Sequence, residues 1–363
     1  MPSPIASYFT QAFGLLSLAS ALALPVPVND GSPIRVLIGD LKTKITSPIG
    51  QSIANQLLGL ETSQSSVVGT PPSNGQGLGA CKSSTDPCCI YYSLSKDLSS
   101  DFTGPTGRCN DLARAAIRLG FHDAGTWSQS LAASGQDFGG ADGSLVLFGE
   151  ISRGENRGLE GIVAAAKKYQ NKYGVGMADL IQYMATHAVV SFPLGPRVRT
   201  YVGRKDATQA APNGLLPPVT GNPDSLIALF ADKTIPAHDL AALLGAHSTS
   251  KQFHVDSSQS GAPQDSTPGV WDVSFYNETI QNPAPKGVFR FASDLVLAKD
   301  PRVSTEWNSF IDDQKHWNED YATAYVRLSL LGVNNINNLT ECSATLPVAR
   351  PTFPGSSEGG FDG

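Results

Sequence analysis

Charge is scarce in this chain. Of its 363 residues only 16% are Asp, Glu, Lys or Arg, while 40% are hydrophobic. That balance excludes a charge-laced coiled coil and argues against wholesale disorder. The 36 glycines and 25 prolines follow no collagen pattern. Net charge is −6 at pH 7, so neither nucleic acid nor an anionic membrane is an expected partner. Beyond the N-terminus no apolar run is long enough to cross a bilayer. There is no internal repeat, and alternating β-branched runs are few. No Cys-x-x-Cys-His is present, which excludes covalent c-type haem attachment.

What is present begins with a leader. Residues from Met1 to Thr10 carry no basic side chain, yet Phe13 to Leu24 are all apolar or small. Ala21-Leu22-Ala23 has the small-x-small form of a cleavage site, so residues 1–23 read as a signal peptide of a secreted, extracellular protein. Five cysteines, Cys81, Cys88, Cys89, Cys109 and Cys342, fit an oxidising compartment. Two disulfides would leave one thiol over, and the pairing stays open. Only the neighbours Cys88 and Cys89 are excluded as a pair, because their Cα atoms lie too close.

A chain this long can bury a sizeable core, in two lobes or domains. Residues 24–80 form a weakly patterned lead-in, either a flexible linker or a propeptide. Val36-Leu37-Ile38 reads as a short strand and Ile53 to Leu60 as a short helix, with flexible chain over Ser63 to Gly79. The compact part runs over 81–346, and 347–363 is a flexible tail. The compact part is mainly α. Helices are expected from Asn110 to His122, Gly158 to Tyr173 and Met177 to Val190. Shorter ones follow over Asp224 to Phe230, Ala237 to His247 and Asp320 to Leu331.

Four constellations carry chemistry. In Arg118-Leu119-Gly120-Phe121-His122-Asp123, Arg118 and His122 project from one helix face. Such a pair suits peroxide heterolysis: the imidazole moves a proton from one oxygen to the other, and the guanidinium stabilises the leaving oxygen. Phe121 can wall the pocket. In Leu243-Leu244-Gly245-Ala246-His247-Ser248, a histidine ends an apolar helix among small residues, where it can coordinate haem iron. Gly139-Gly140-Ala141-Asp142-Gly143-Ser144 with Asp123, and Asp265 to Asp272 with Ser248, each gather carboxylates, hydroxyls and carbonyls suited to calcium. Taken singly these are a solvated surface pair, a helix-end histidine and two polar turns.

Taken together, in this order and spacing, they resemble the class II fungal secretory haem peroxidases, the family of lignin, manganese and versatile peroxidases. The resemblance covers 81–346 and includes Arg204, Pro212-Asn213-Gly214-Leu215, Ser293-Asp294, Glu306-Trp307-x-Ser309-Phe310 and Thr340-Glu341-Cys342-Ser343. It implies a two-lobed helical fold, with a distal lobe over about 81–210 and a proximal lobe over about 211–346. It further implies one b-type haem between the lobes, two calcium ions and a monomer that reduces hydrogen peroxide. By resemblance His122 is the distal acid/base, Arg118 the distal arginine, and Glu150 and Asn156 the pair linked to His122. His247 is the iron ligand and Asp294 accepts its Nδ1 proton. The distal calcium would use Asp123, Gly140, Asp142 and Ser144. The proximal one would use Ser248, Asp265, Thr267, Val270 and Asp272. Cys81 with Cys89 and Cys88 with Cys342 match two bridges of the family, and Cys109 is left as a free, buried thiol. Asn277 and Asn338 head glycosylation tripeptides.

The departures concern the reducing substrate. Members that oxidise manganese carry three acids where this chain has Asp111, Ala115 and Phe253. Lignin-type members carry a surface Trp where this chain has Ala242. Gln264 stands where the family usually has an aromatic residue. Trp127, Trp271, Trp307 and Trp317 read as packing residues. His187, His238, His254 and His316 belong to no motif and read as structural or solvated. The expectation is a generic peroxidase that oxidises phenolic or similar aromatic donors at the haem edge. Two alternatives remain: a ligninolytic enzyme with a different surface radical or manganese route, and a non-catalytic secreted glycoprotein that binds haem and calcium.

Overall fold

A computed structural model describes Met1, residues 35–70 and residues 85–353. The leader read over residues 1–23, Cys81 and the end of the C-terminal tail lie outside the described residues. The chain divides into two units, Met1–Ile34 and Arg35–Gly363, and every described helix and strand belongs to the second.

Local signals start most of the helices. In α1 (Pro48–Leu57) Ser47 caps the Gly50 N–H and proline takes the first turn. After α2 (Cys89–Phe102), the Asn110 side chain accepts from the N–H groups of Leu112 and Ala113 and opens α3 (Asp111–Ala124). Two short helices, α4 (Gln129–Ala133) and α5 (Ser144–Leu147), follow. Next come α6 (Glu160–Tyr173), stopped by left-handed Gly174, and α7 (Met177–Ser191). The second half holds α8 (Pro223–Ala231), capped by Asn222, and α9 (Ala237–Leu244). It continues through α10 (Ser274–Ile280), α11 (Ala292–Leu297), α12 (Ser304–Ser309) and α13 (Gln314–Leu328). The α9 helix is shorter than the sequence implies. Its last turn tightens to a 3-10 helix over Gly245–Thr249, which carries His247. The only named strands among the described residues are β1 (Tyr201–Val202) and β2 (Thr340–Glu341), antiparallel, with Tyr201 opposite Glu341.

Every residue of α7 is buried, including Asp179, Gln182, Thr186, His187 and Ser191, whose side chains are hydrogen-bonded. It packs along α3, and Gly120 sits at the crossing. A Cβ there would stand 2.6 Å from Ala185 Cβ and 2.5 Å from Tyr325 Oη, so only glycine lets the helices approach this closely. That crossing fixes the face of α3 bearing Arg118 and His122. Among the described residues no helix is long and apolar enough to cross a membrane.

The lead-in departs from expectation, because residues 35–70 are ordered. Ile53, Ala54 and Leu57 of α1 enter the core, which amounts to about 1.5–3 kcal/mol for each large side chain. Buried polar contacts fix the segment further. Gln56 Nε2 donates to Tyr201 Oη at 2.7 Å. Arg327 donates to the carbonyls of Val36 and Leu57, at 2.9 and 2.8 Å. Val36-Leu37-Ile38 forms no strand. The stretch read as a linker is pinned as far as it is described: the Ser65 N–H donates to Arg197 O and the Gly69 N–H to Ala344 O, both at 2.8 Å. The start of the tail is pinned too, since Arg350 donates to the Gly107 and Ser191 carbonyls.

Cys88 and Cys342 are joined in a disulfide across 254 residues of chain. Cys89 is also disulfide-bonded. Cys109 is a buried free thiol, and burial pushes it up to about 12, so it is not a nucleophile at neutral pH.

Candidate active site

The last turn of α3 brings Arg118 and His122 together. Arg118 Nε stands 3.2 Å from His122 Nε2. Its two terminal nitrogens donate to the carbonyls of Arg157 and Glu155, at 2.9 and 3.0 Å. On the other side of the imidazole, Nδ1 lies 2.8 Å from Asn156 Oδ1. Asn156 Nδ2 donates to the Glu150 carbonyl at 2.8 Å, which fixes which way the amide faces. Its oxygen therefore accepts from Nδ1–H, and the lone pair sits on Nε2. Burial, and then the nearby Arg118 charge, pull His122 down to about 3. It is a neutral base over the whole ordinary pH range. Phe121 packs edge-on against this ring at 5.7 Å and stacks on Phe230 at 6.1 Å.

Glu150 contributes through both its backbone and its side chain. Only its backbone carbonyl meets Asn156. Its carboxylate instead accepts from the Ala211 N–H at 2.6 Å and from Arg153 at 2.9 Å. Glu150 thus ties the turn holding Asn156 to the 211–212 loop, where Arg153 also donates to carbonyls. No local spacing in the sequence announces that contact.

His247 Nδ1 lies 3.0 Å from Asp294 Oδ2, so Nδ1–H donates and Nε2 is left with its lone pair. Asp294 is fully buried. It also accepts from Gln264 Nε2 at 3.2 Å, so the residue that only marked a departure in the sequence is a second donor to this carboxylate. Phe275 and Phe291 meet the His247 ring edge-on, each at 5.6 Å. Gly245 explains the small neighbours, because a Cβ there would collide with Trp317 and with the Tyr276 hydroxyl.

Each histidine adjoins an oxygen-rich loop. On the α3 side, Asp123 accepts from the N–H groups of Gly143 and Leu145, at 3.0 and 3.3 Å. Asp142 accepts from those of Gly139 and Ser144, at 3.1 and 2.9 Å. On the other side, Asp265 accepts from the Thr267 N–H at 2.9 Å, and Thr267 Oγ1 donates to Asp272 at 2.7 Å. Ser144 Oγ, Ser248 Oγ and Asp265 Oδ2 are buried without any hydrogen-bond partner. Burial and Asp142 raise Asp123 well above the usual carboxylate range, and burial and Asp272 do the same to Asp265. Such buried like-charge pairs with unsatisfied oxygens are the environment a hard cation neutralises.

Residues at the other positions of interest stand apart from these groups. Asp111 is held by its neighbour Arg114, at 2.5 and 2.9 Å. Ala242 is buried, and its carbonyl accepts from Trp317 Nε1 at 2.9 Å. Phe253 is exposed, and His254 reaches toward the distal group. A Cβ on Gly158 would lie 3.3 Å from His254 Nε2 and 3.4 Å from an Arg118 nitrogen. His187 is buried between Ser95 and Ser191. Asn277 and Asn338 are exposed.

Comparison with known proteins agrees with this geometry. The Peroxidase family matches residues 99–313. Ligninase LG5 of Phanerodontia chrysosporium is 32% identical over 284 residues, covering 73% of this chain and 76% of its own. Ligninase C of Trametes versicolor is 34% identical, with 72% and 75% covered. A peroxidase of Arthromyces ramosus is 30% identical, with 78% and 85% covered. The chain belongs to the peroxidase family, among the class II fungal haem peroxidases, and is a hydrogen-peroxide-dependent oxidoreductase.

Proposed function

We propose that the enzyme reduces hydrogen peroxide at the His122–Arg118 pair and oxidises small phenolic or similar aromatic donors that come to the site itself. Haem, held through His247 Nε2, would supply the iron that cleaves the peroxide bond and stores two oxidising equivalents. The protein's part is to move one proton and steady one charge. Neutral His122 Nε2 takes the proton from one peroxide oxygen and hands it to the other, which leaves as water. Arg118 stabilises negative charge on that leaving oxygen. Asn156 keeps the Nδ1 proton in place, so Nε2 is always the acceptor. On the opposite side Asp294 holds the His247 Nδ1 proton and makes Nε2 a stronger donor. Two donor molecules, each losing one electron and one proton, complete the reduction of one peroxide to two waters.

Calcium fits both oxygen-rich loops. The distal ion would bind Asp123, Asp142 and Ser144 with the Gly140 carbonyl. The proximal ion would bind Ser248, Asp265, Thr267 and Asp272 with the Val270 carbonyl. The unpartnered Ser144, Ser248 and Asp265 oxygens support this reading. The leader and the oxidised cysteines support release into an extracellular, oxidising space. Exposed Asn277 and Asn338 suit glycosylation there.

The observation that carries the donor assignment is the burial of all four tryptophans, at 7% exposure for Trp127 and 0% for the other three. Of the described tyrosines only Tyr173 is partly exposed, and its hydroxyl donates to Asp97 at 2.6 Å. A bulky donor therefore finds no Trp among the described residues at the surface to accept its electron. The manganese reading is weakened in the same way, since Asp111 is the one acid of three and Arg114 already pairs with it. Steady-state turnover with a simple phenol, veratryl alcohol and Mn(II) tests this. Saturable turnover of the phenol alone is expected, and comparable turnover of veratryl alcohol or of micromolar Mn(II) would overturn it.

A further inference from the structure

Far along α9 from His247, four side chains that no motif connects converge at the surface. His238 opens α9, Glu306 lies on α12, and His316 and Asp320 stand four apart on α13. His238 Nε2 is 3.3 Å from Glu306 Oε2 and 3.6 Å from Asp320 Oδ2. His316 Nε2 is 3.1 Å from Asp320 Oδ2 and 3.5 Å from Glu306 Oε1. We propose that His238, Glu306 and Asp320, with His316 bordering them, form a binding site for a divalent transition-metal ion of the zinc type, separate from the haem and calcium sites.

Three observations carry this. The first is spacing. Ligands about 2.1 Å from a tetrahedral metal stand about 3.4 Å from one another. His238 Nε2 stands 3.3 and 3.6 Å from Glu306 and Asp320 oxygens, and one ligand atom of each of these three residues lies within 4.8 Å of the others. His316 borders them through Asp320 at 3.1 Å and the other Glu306 oxygen at 3.5 Å. The second is the setting of His238. Its Nδ1 lies 3.1 Å from Asp239 Oδ1, and Asp239 is anchored by Arg35 at 2.8 Å. Nδ1–H donates to that carboxylate, and Nε2 faces the two further carboxylates of Glu306 and Asp320. Three carboxylates around one imidazole favour positive charge there, which a proton or a metal ion can supply. A carboxylate behind a histidine is also the arrangement that orients a metal-bound imidazole. The third is Asp320 Oδ2, which is buried and accepts no hydrogen bond although both imidazoles stand close to it. Two imidazoles and two carboxylates are a donor set for Zn(II) or Cu(II) rather than for calcium. The four side chains keep 16% to 37% of their surface exposed, so an ion can enter from solvent.

The test is titration of the calcium-saturated holoenzyme with Zn(II), followed by calorimetry and by metal analysis after desalting. Excess calcium keeps the two oxygen loops from reporting. One Zn(II) per chain is expected. Binding should weaken at least about 100-fold in His238→Ala and in His316→Ala, and about 10–100-fold in Asp239→Asn, which removes only the orienting carboxylate. Glu306→Gln keeps the shape and should also weaken binding, and an unchanged haem spectrum shows that each variant is folded. Absence of bound Zn(II) in the parent would overturn the proposal and leave the cluster held by protons. Zn(II) binding undiminished in the histidine variants would overturn it too, because the ion would then sit elsewhere.

Discussion

His122 and His247 both stand at the end of a helical segment, and each donates its Nδ1 proton to an oxygen. The acceptor is Asn156 at 2.8 Å in one case and Asp294 at 3.0 Å in the other. The difference between the two sides is one of charge. A neutral amide orients the His122 ring without favouring a positive charge on it, and burial and Arg118 then pull it down to about 3. A buried carboxylate instead accepts the Nδ1 proton and pushes electron density toward Nε2. In the proposed mechanism one residue type thus serves as a proton carrier on one side and an electron-rich ligand on the other. The partner's charge decides which.

Removing the proton carrier should have the largest effect. His122→Leu is expected to lower the second-order rate of peroxide reduction by about 100- to 10,000-fold, read by stopped-flow absorbance. The resting haem spectrum should not change, because His247 is untouched. Equal peroxide turnover in parent and variant would remove the assigned mechanism. On the other side, Asp294→Asn keeps the size of the acceptor and removes its charge. A loss of about 10- to 100-fold is expected, with an iron that is easier to reduce in spectroelectrochemistry. An unchanged reduction potential would erase the contrast between the two sides.

The two oxygen loops extend the comparison, since one adjoins each histidine. Chelation should lower stability on both sides. Each occupied site contributes about 2.7 kcal/mol when free calcium is 100 times its Kd, so the melting temperature should fall as calcium is removed. Ser144→Ala and Ser248→Ala separate the two, because each removes one of the unpartnered oxygens. The Ser248 variant should disturb the haem spectrum more, as Ser248 directly follows His247 in the same 3-10 segment. Calcium-independent melting in the parent would exclude both sites.

How much of this was legible in the sequence depended on range. Arg118 and His122 lie four apart on one well-capped helix, so their shared face could be read directly. The paired loops were legible only through the resemblance, because their carboxylates meet across turns that composition does not specify. The order of residues 35–70 was hidden, since α1 offers only a short apolar face, Ile49, Ile53, Ala54 and Leu57. What holds it is Arg327, far along the chain, filling backbone carbonyls at 2.9 and 2.8 Å. The partner of the Glu150 carboxylate was hidden for the same reason: Ala211 offers a backbone N–H, and no side-chain pattern records that. His238 and His316 looked isolated because the elements that join them, α9, α12 and α13, meet only in the folded chain.

The finest test of the contrast exchanges its one difference. Asn156→Asp gives His122 the kind of partner that His247 has. The neutral form of His122 is the one that accepts the peroxide proton. The rate is therefore full above its pKa and lost as pH falls through it, which places the acid limb at about 3 in the parent. A carboxylate at hydrogen-bond distance stabilises imidazolium and should move the midpoint up by about 1–3 pH units. At neutral pH the variant should stay within about tenfold of the parent. Rapid-mixing rates across the acid range read the midpoint directly. A midpoint that does not move would mean that burial and Arg118 alone set the strength of the base. The amide would then matter only for holding the ring, and the charge of the partner would distinguish the two histidines on the proximal side alone.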